Sequence, residues 1–388
     1  MAAVASLPET RAAVPLSAEV QLLVGAAMGV APGQVRALAT EVEDWPGLYR
    51  LADFHALRAA AYHGLLRAGI TLPLSLAELW RSYAEQNARH NLWLSSELLR
   101  VMEAFESAGV RVLPYKGPTL GAAVHPSLAT RESSDLDLLV SPADAARAEQ
   151  ITAALGYTPL LDLTPRQRAA YLRDECELDL VSAEGEQLDL HWALVPRHSQ
   201  MAFDFEAWWQ RRVPLPLGGR SIPTLAPEDG LLALAVHGSK HAWERMGWAV
   251  DFALWMSAHP QMDWEEIARQ AAAMRATRAL RFAVLVTDAV TGVSPPVPVR
   301  AQAGMDRDAW AMAADAVERM QHARKVGDAA RWRNTLRLLP DRGARRRCLT
   351  WFALTSGVAE WSSVRLPDAL FPLYVPVRLL RIVRAALR

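Results

Sequence analysis

Residues 110–157, VRVLPYKGPTLGAAVHPSLATRESSDLDLLVSPADAARAEQITAALGY, are the passage on which the fold turns. Upstream of it, apolar residues recur at helical spacing; here the period changes. Val110 to Tyr115 is short and rich in strand formers. Pro114 assigns it to a sheet edge or a strand end, because proline donates no ladder hydrogen bond. KGPTLGAAVHP follows as a glycine turn feeding a short helix. RESSDLDLLVSP then alternates polar and apolar residues, the pattern of a half-buried strand. PADAARAEQITAALGY predicts a helix with Pro142 near its first turn and Gly156 at its end.

Downstream, CELDLVSA (176–183) and QLDLHWAL (187–194) flank the turn-like EGE and predict an antiparallel hairpin. These pieces make an α+β core, assigned to residues 109–222, between helical flanks. The N-terminal helical region, 1–108, opens with Ser17 capping a helix over Ala18–Met28. It continues through the amphipathic runs LADFHALRAAAYHGLLRAG and NLWLSSELLRVMEAFESAG, the second closing at Gly109. Residues 223–293 predict a helical domain closing a cleft over the core. Pro227, Glu228 and Asp229 start a helix running through HGSKHAWERM, WAVDFALWM makes a second, and DWEEIARQAAAMRATRALRFAVLVTDAV a third. VSPPVPV reads as a linker. Beyond it, 294–388 is an Arg-rich helical tail.

Lys plus Arg and Asp plus Glu each number 42 in 388 residues, so the formal net charge is zero. A balanced chain gives no basic footprint for a long nucleic acid. The length suggests two or three domains. Cys176 and Cys348 are the only cysteines, too far apart for a metal-type pair, and this favours a reducing cytosol. The N-terminus lacks a secretory pattern and no apolar run approaches a membrane span, so a soluble cytoplasmic protein is expected. Fourteen Trp against seven Tyr is unusual, and Trp mostly reads as core or cleft wall; Trp208 and Trp209 are assigned to the core.

In Asp135-Leu136-Asp137-Leu138, strand geometry turns both aspartates to one face and both leucines to the other. Two carboxylates that close repel one another, and a divalent cation resolves the conflict. Mg²⁺ (or Mn²⁺) prefers one or two carboxylates together with phosphate oxygens and water. A third carboxylate would position and deprotonate the attacking group. Asp189, which also alternates with leucines, is the favoured candidate; Asp179 competes from the preceding strand. By itself D-x-D also fits an ordinary strand with a solvated face. Lys116-Gly117, after a strand and before a helix, adds a place where backbone amides and a cation meet phosphate.

The run LPYKGPTLGAAVHPSLATRESSDLDLLVSPADAARAEQITAALGY resembles the core of the uncharacterised nucleotidyltransferase family in the DNA polymerase beta superfamily. The shared features are the K-G turn (Lys116, Gly117), an arginine (Arg131) shortly before S-D-x-D-L-L-V (Ser134–Val140), L-G-Y (Leu155–Tyr157) and D-L-H-W (Asp189–Trp192). HGSKHAWERMGWAVDFALW is similar to the family's H-x-x-K-H segment followed by W-x-x-D, here His237, Lys240, His241, Trp248 and Asp251. The end, LPDALFPLYVPVRLLRIVR, is similar too. The resemblance implies a polymerase-beta-like core that moves a nucleotidyl group from an NTP, ATP among them, to a hydroxyl or phosphate acceptor. It implies Asp135 and Asp137 as metal ligands and Asp189 as the third carboxylate. The better-known superfamily members carry Gly-Ser in the turn where this chain has Lys116-Gly117, which leaves the serine's phosphate contact to Lys116 or to a different mode of binding. A non-catalytic nucleotide-binding scaffold and a phosphotransferase remain the alternatives.

Around this core, Ser134, Arg131, Lys240, His237 and His241 are expected to face nucleotide or acceptor. Lys240 is the foremost phosphate contact among the helical residues. Arg131 can pair with phosphate bidentately, or with Glu132 or Asp144. His237 and His241 share a helix face as zinc ligands do, but no glutamate follows His237 as hydrolytic zinc helices require. His125 and His191 read as packing or hydrogen-bonding residues. Arg378, Arg381 and Arg384 lie at helical spacing with Leu380, Val383 and Leu387 beside them. Such a helix can lie on an anionic membrane, or pack its apolar side on its own protein.

Overall fold

The computed structural model describes residues 15–386. Five helices precede the sheet: α1 (Ala18–Met28), α2 (Pro32–Ala39), α3 (Trp45–Phe54), α4 (Arg58–Arg67) and α5 (Leu74–Ser107). Ser17 caps α1, its hydroxyl accepting from the Val20 amide and so satisfying one of the orphan donors of a helix start. LADFHALRAAAYHGLLRAG, expected as one helix, is two, broken at Ala56 (φ 55°). The reason is tertiary. His55 is fully buried, its Nε2 2.9 Å from the Met320 carbonyl and its Nδ1 accepting from the Met246 amide at 3.1 Å. Its carbonyl also accepts from the Gly247 amide, an approach only glycine allows, since a Cβ at 247 would come within 2.6 Å of that oxygen.

The core follows as β1 (Val112–Pro114), α6 (Gly117–Val124), β2 (Asp135–Val140), α7 (Ala145–Ala154), β3 (Thr158–Pro159), α8 (Pro165–Asp174), β4 (Glu177–Val181) and β5 (Gln187–His191). The sheet order is β1-β2-β5-β4-β3, with β2 and β5 parallel and the other neighbours antiparallel. Pro114 thus sits on an edge strand, and 176–194 forms the expected hairpin. β2 was expected to be half-buried, yet every residue from Leu136 to Val140 is buried. Its leucine face packs on α5 and α7, and its aspartate face is roofed by helices that follow later in the chain. α8 went unread although its Thr164–Gln167 capping box is a legible signal.

Next come α9 (Phe205–Arg211) and a separate hairpin, β6 (Val213–Leu217) with β7 (Arg220–Thr224). The remainder is helical: α10 (Pro227–Lys240), α11 (Met246–Ala258), α12 (Trp264–Ala273), α13 (Thr277–Thr291), α14 (Val297–Met305), α15 (Arg307–Gln321), α16 (Asp328–Leu338), α17 (Arg342–Leu354), α18 (Val358–Ser363) and α19 (Tyr374–Ala386). Two expected helices are again broken. The run through HGSKHAWERM ends at Lys240, where Ala242 and Trp243 take positive φ and deliver the Trp243 ring into the core. The run beginning DWEEI splits at Arg275 (φ 58°). The proline-rich segment is brief, because α14 starts at Val297 and packs on α13.

Two apolar cores flank the sheet. One joins α1, α3, α4 and the first turns of α5 to α10–α15, and it takes Leu139 and the buried Trp208. The other joins the later part of α5 to Leu136, Leu138 and Val140, and reaches Tyr374 of α19. Helices from both ends of the chain therefore share one interior. On α19, Arg378 and Arg381 both pair with the fully buried Glu360, at 2.8 and 2.6 Å, while Arg384 is exposed. Leu387 lies outside the described residues. No helix among the described residues is long and apolar enough to cross a membrane.

Candidate functional site

The parallel register of β2 and β5 sets Asp137 opposite Asp189, and the antiparallel register of β5 and β4 sets Asp189 opposite Asp179. Period two adds Asp135, His191 and Glu177 to the same face. This face floors a cleft of about 360 Å³, closed by the α10–α11 turn and by His55–Ala60. Asp135, Asp137, Asp189, Lys116, Arg131, Ser134, His237, Lys240 and His241 all line it. Asp179 does not; it is exposed on the far side of Asp189.

Gly117 supports the cleft through its backbone. It has φ +54°, and a Cβ there would come within 2.6 Å of the Asp135 carbonyl oxygen. Its own carbonyl accepts from Arg131 at 3.1 Å. A residue with a side chain would push the turn off β2 and move Lys116 with it.

Lys116 Nζ is buried against Asp137 Oδ1, and His191 Nε2 stands 3.2 Å from the same oxygen. Asp137 Oδ2 is buried with no hydrogen-bond partner. Burial alone would raise Asp137, but Lys116 and His191 hold it down to about 2. Asp189 has no such partners. Burial, and then the charges of Asp137 and Asp135, push it up to about 7. Asp135 is likewise raised, by burial and by Asp137. Asp137, Asp189 and His191 can present ligand atoms all within 4.8 Å of one another; Asp135 is outside that group.

His191, read from sequence as a packing residue, is central. Its Nδ1 lies 3.1 Å from Glu177 Oε2, an ionic contact rather than an aligned hydrogen bond. With carboxylates at both nitrogens its pKa is raised although burial opposes this. Lys240 Nζ reaches both Glu177 oxygens at 2.6 Å. His191 first and Lys240 next hold Glu177 far below the usual carboxylate range against its burial. Lys240, expected as a phosphate contact, lines the cleft and is the counter-ion of Glu177. Both Glu177 and His191 were legible, since each lies two residues from an aspartate in an alternating strand.

Arg131 pairs with neither Glu132 nor Asp144. It reaches Asp251 Oδ2 at 3.2 Å and Ser133 Oγ at 3.0 Å, while Glu132 takes Arg58 at 3.0 Å. Asp251 also takes His125 Nε2 at 2.7 Å, so one buried carboxylate on α11 clamps both ends of the loop before β2. His237 and His241 pack against each other at a tilt (ring centroids 4.8 Å) and against Trp248, His237 edge-on and His241 tilted (5.2 and 5.3 Å). Burial drives both imidazoles to the neutral form, His241 to about 3. Neither belongs to a metal-type group among the described residues. Arg245 was missed. It is exposed at the cleft wall and, among the described residues, is without a carboxylate partner.

A small mixed sheet that sets a D-x-D strand beside a third aspartate, under a helical roof, is the architecture expected of a nucleotidyl-transfer protein. The chain belongs to the uncharacterised nucleotidyltransferase family, whose model matches residues 41–292, well over half its length. Comparison with curated proteins and with solved structures gave no match.

Proposed function

We propose that the protein transfers a nucleotidyl group from an NTP such as ATP, with Mg²⁺ (or Mn²⁺), to a hydroxyl or phosphate acceptor. One observation carries this reading: Asp137 and Asp189 are register partners on adjacent parallel strands and face a cleft with Asp135. The residues suit a hard divalent cation. Asp137 offers a buried oxygen with no partner, and Asp189 and Asp135 are carboxylates whose pKa values are raised by burial and by the neighbouring aspartates. His191, with acids at both nitrogens, orients Asp137 rather than lending a lone pair, which favours oxygen ligation and hence Mg²⁺ or Mn²⁺ over zinc.

A bound divalent cation would neutralise the triphosphate and stabilise charge developing during in-line attack. Asp189 is suited to take the acceptor's proton on a carboxylate oxygen, since its raised pKa makes it the stronger base of the pair. Lys116, Ser134 and Arg245 are the phosphate contacts we assign, Arg245 because its charge is unspent. His237, His241 and Trp248 form a neutral wall suited to a base or an acceptor. The two free, buried cysteines support a cytosolic setting, and the balanced charge speaks against a long nucleic-acid acceptor.

A scaffold reading draws on Lys116, whose ammonium already satisfies Asp137 without metal. Calorimetric titration of the four NTPs with Mg²⁺, on wild type and on Asp137→Asn, separates the two, followed by pyrophosphate release with acceptors. Metal-dependent binding abolished by the substitution, with pyrophosphate released, supports transfer. Binding without turnover favours the scaffold, release of nucleoside diphosphate favours phosphotransfer, and no binding by folded wild type refutes the nucleotide site.

A further inference from the structure

Beside α8 and the start of β4, a pocket of about 140 Å³ lies between the core and the C-terminal helices. Trp332, Trp351 and Trp361 wall it, together with His198, Glu175 and Arg378. His198 stacks on Trp351 with centroids 4.8 Å apart and lies 5.3 Å from Trp332. Arg378 shares Glu360 with Arg381, at 2.8 and 2.6 Å, and Asp174 pairs with Arg173. His198 is kept neutral by burial, its pKa lowered to about 4, and its Nδ1 is buried without a partner. Of the pocket's two carboxylates, that of Glu175 has no hydrogen-bond or ion-pair partner among the described residues; burial raises its pKa, and the charges of Lys240 and Arg378 oppose this through space. Three indoles around one carboxylate without a hydrogen-bonded partner is an arrangement that recognises an organic cation, by cation–π attraction and charge together.

A second chamber, of about 240 Å³, shares His198 and Trp332 with this pocket and shares Lys240 with the carboxylate cleft. We propose that the Glu175–Trp332–Trp351–Trp361 pocket binds an organic ammonium group, and that this group is the head of the acceptor. The second clause rests on the nucleotidyl-transfer reading; the binding site itself does not.

The test uses the full chain and tryptophan fluorescence. Tetramethylammonium and choline are titrated against the neutral isostere 3,3-dimethylbutan-1-ol. Saturable binding of the two cations is expected, weakened about tenfold or more in Glu175→Gln and in Trp351→Leu, with no saturation by the neutral alcohol. Equal binding of the isostere, unchanged affinity in Glu175→Gln, or no binding by folded wild type each overturns the site. Mg²⁺–NTP binding measured on the same Glu175→Gln protein stays at the wild-type value. Its loss in wild type with cation binding intact would sink the functional reading and leave the pocket standing. In pyrophosphate-release assays, amine-bearing alcohols are expected to react, with KM raised about tenfold and kcat held in Glu175→Gln. Neutral alcohols reacting equally well would remove the acceptor assignment.

Discussion

Asp137 and Asp189 are register partners on adjacent parallel strands, yet their environments drive them apart, one held near 2 and the other raised to about 7. The difference comes from Lys116 and His191, which both pair with Asp137 and neither of which pairs with Asp189. A pair so arranged contains one permanent anion and one group able to exchange a proton near neutrality.

Lys116 competes with any cation for Asp137. Lys116→Met should therefore strengthen Mn²⁺ binding to the nucleotide-free protein, by about tenfold if one ion-pair interaction of roughly 1.4 kcal/mol is removed. Paramagnetic titration of free Mn²⁺ reads this directly. Equal or weaker affinity would mean that Lys116 does not screen the site.

The two aspartates give opposite stability slopes in metal-free protein. Asp189 is raised in the folded state, so its favourable contribution is complete below pH 4 and is lost as pH climbs toward 7. Asp137 is depressed, so its contribution is present above pH 4 and is lost as pH falls toward 2. In EDTA, urea unfolding of Asp189→Asn should show a gain over wild type that grows between pH 4 and pH 7. A gain independent of pH would contradict the raised carboxyl.

Gly117→Ala should cost about 1–2 kcal/mol for the left-handed backbone alone, and more for the contact with the Asp135 carbonyl. Denaturant midpoints measure the loss. The same variant should bind Mg²⁺–NTP poorly, because Lys116 and the D-x-D strand are displaced together. A variant with wild-type stability would show that the turn tolerates a Cβ.

Asp251→Ala leaves the buried side chains of His125 and Arg131 facing each other without their shared anion. Breaking a buried charge cluster by removing one partner costs about 3–5 kcal/mol. Asp251→Asn, which keeps the shape, should recover part of this in chemical denaturation. A loss under 1 kcal/mol for the alanine variant would assign Arg131 to phosphate rather than to Asp251.

Strand period two was enough to put Asp135, Asp137 and Asp189 on polar faces, and the alternating leucines made the hairpin plain. The same period carried His191 and Glu177, which a search for aspartates alone passed over. Helix breaks were the least legible feature. At His55–Ala56, Ala242–Trp243 and Arg275 no glycine or proline marks the bend; buried contacts made elsewhere in the chain impose it. The carboxylate partners of Arg131 and Lys240 were not legible for a related reason: Asp251 and Glu177 are distant in sequence and near only after folding.

The sequence by itself determined which residues could form an acidic sheet face, because side-chain alternation is a local property of an extended backbone. It determined as well that a glycine turn precedes that face, and that helices flank it on both sides. Only the tertiary structure decided which cation meets which carboxylate, and therefore which aspartate stays ionised. Those choices depend on strand order, register and the roof of α10 and α11, and burial magnifies each charge contact once water is excluded.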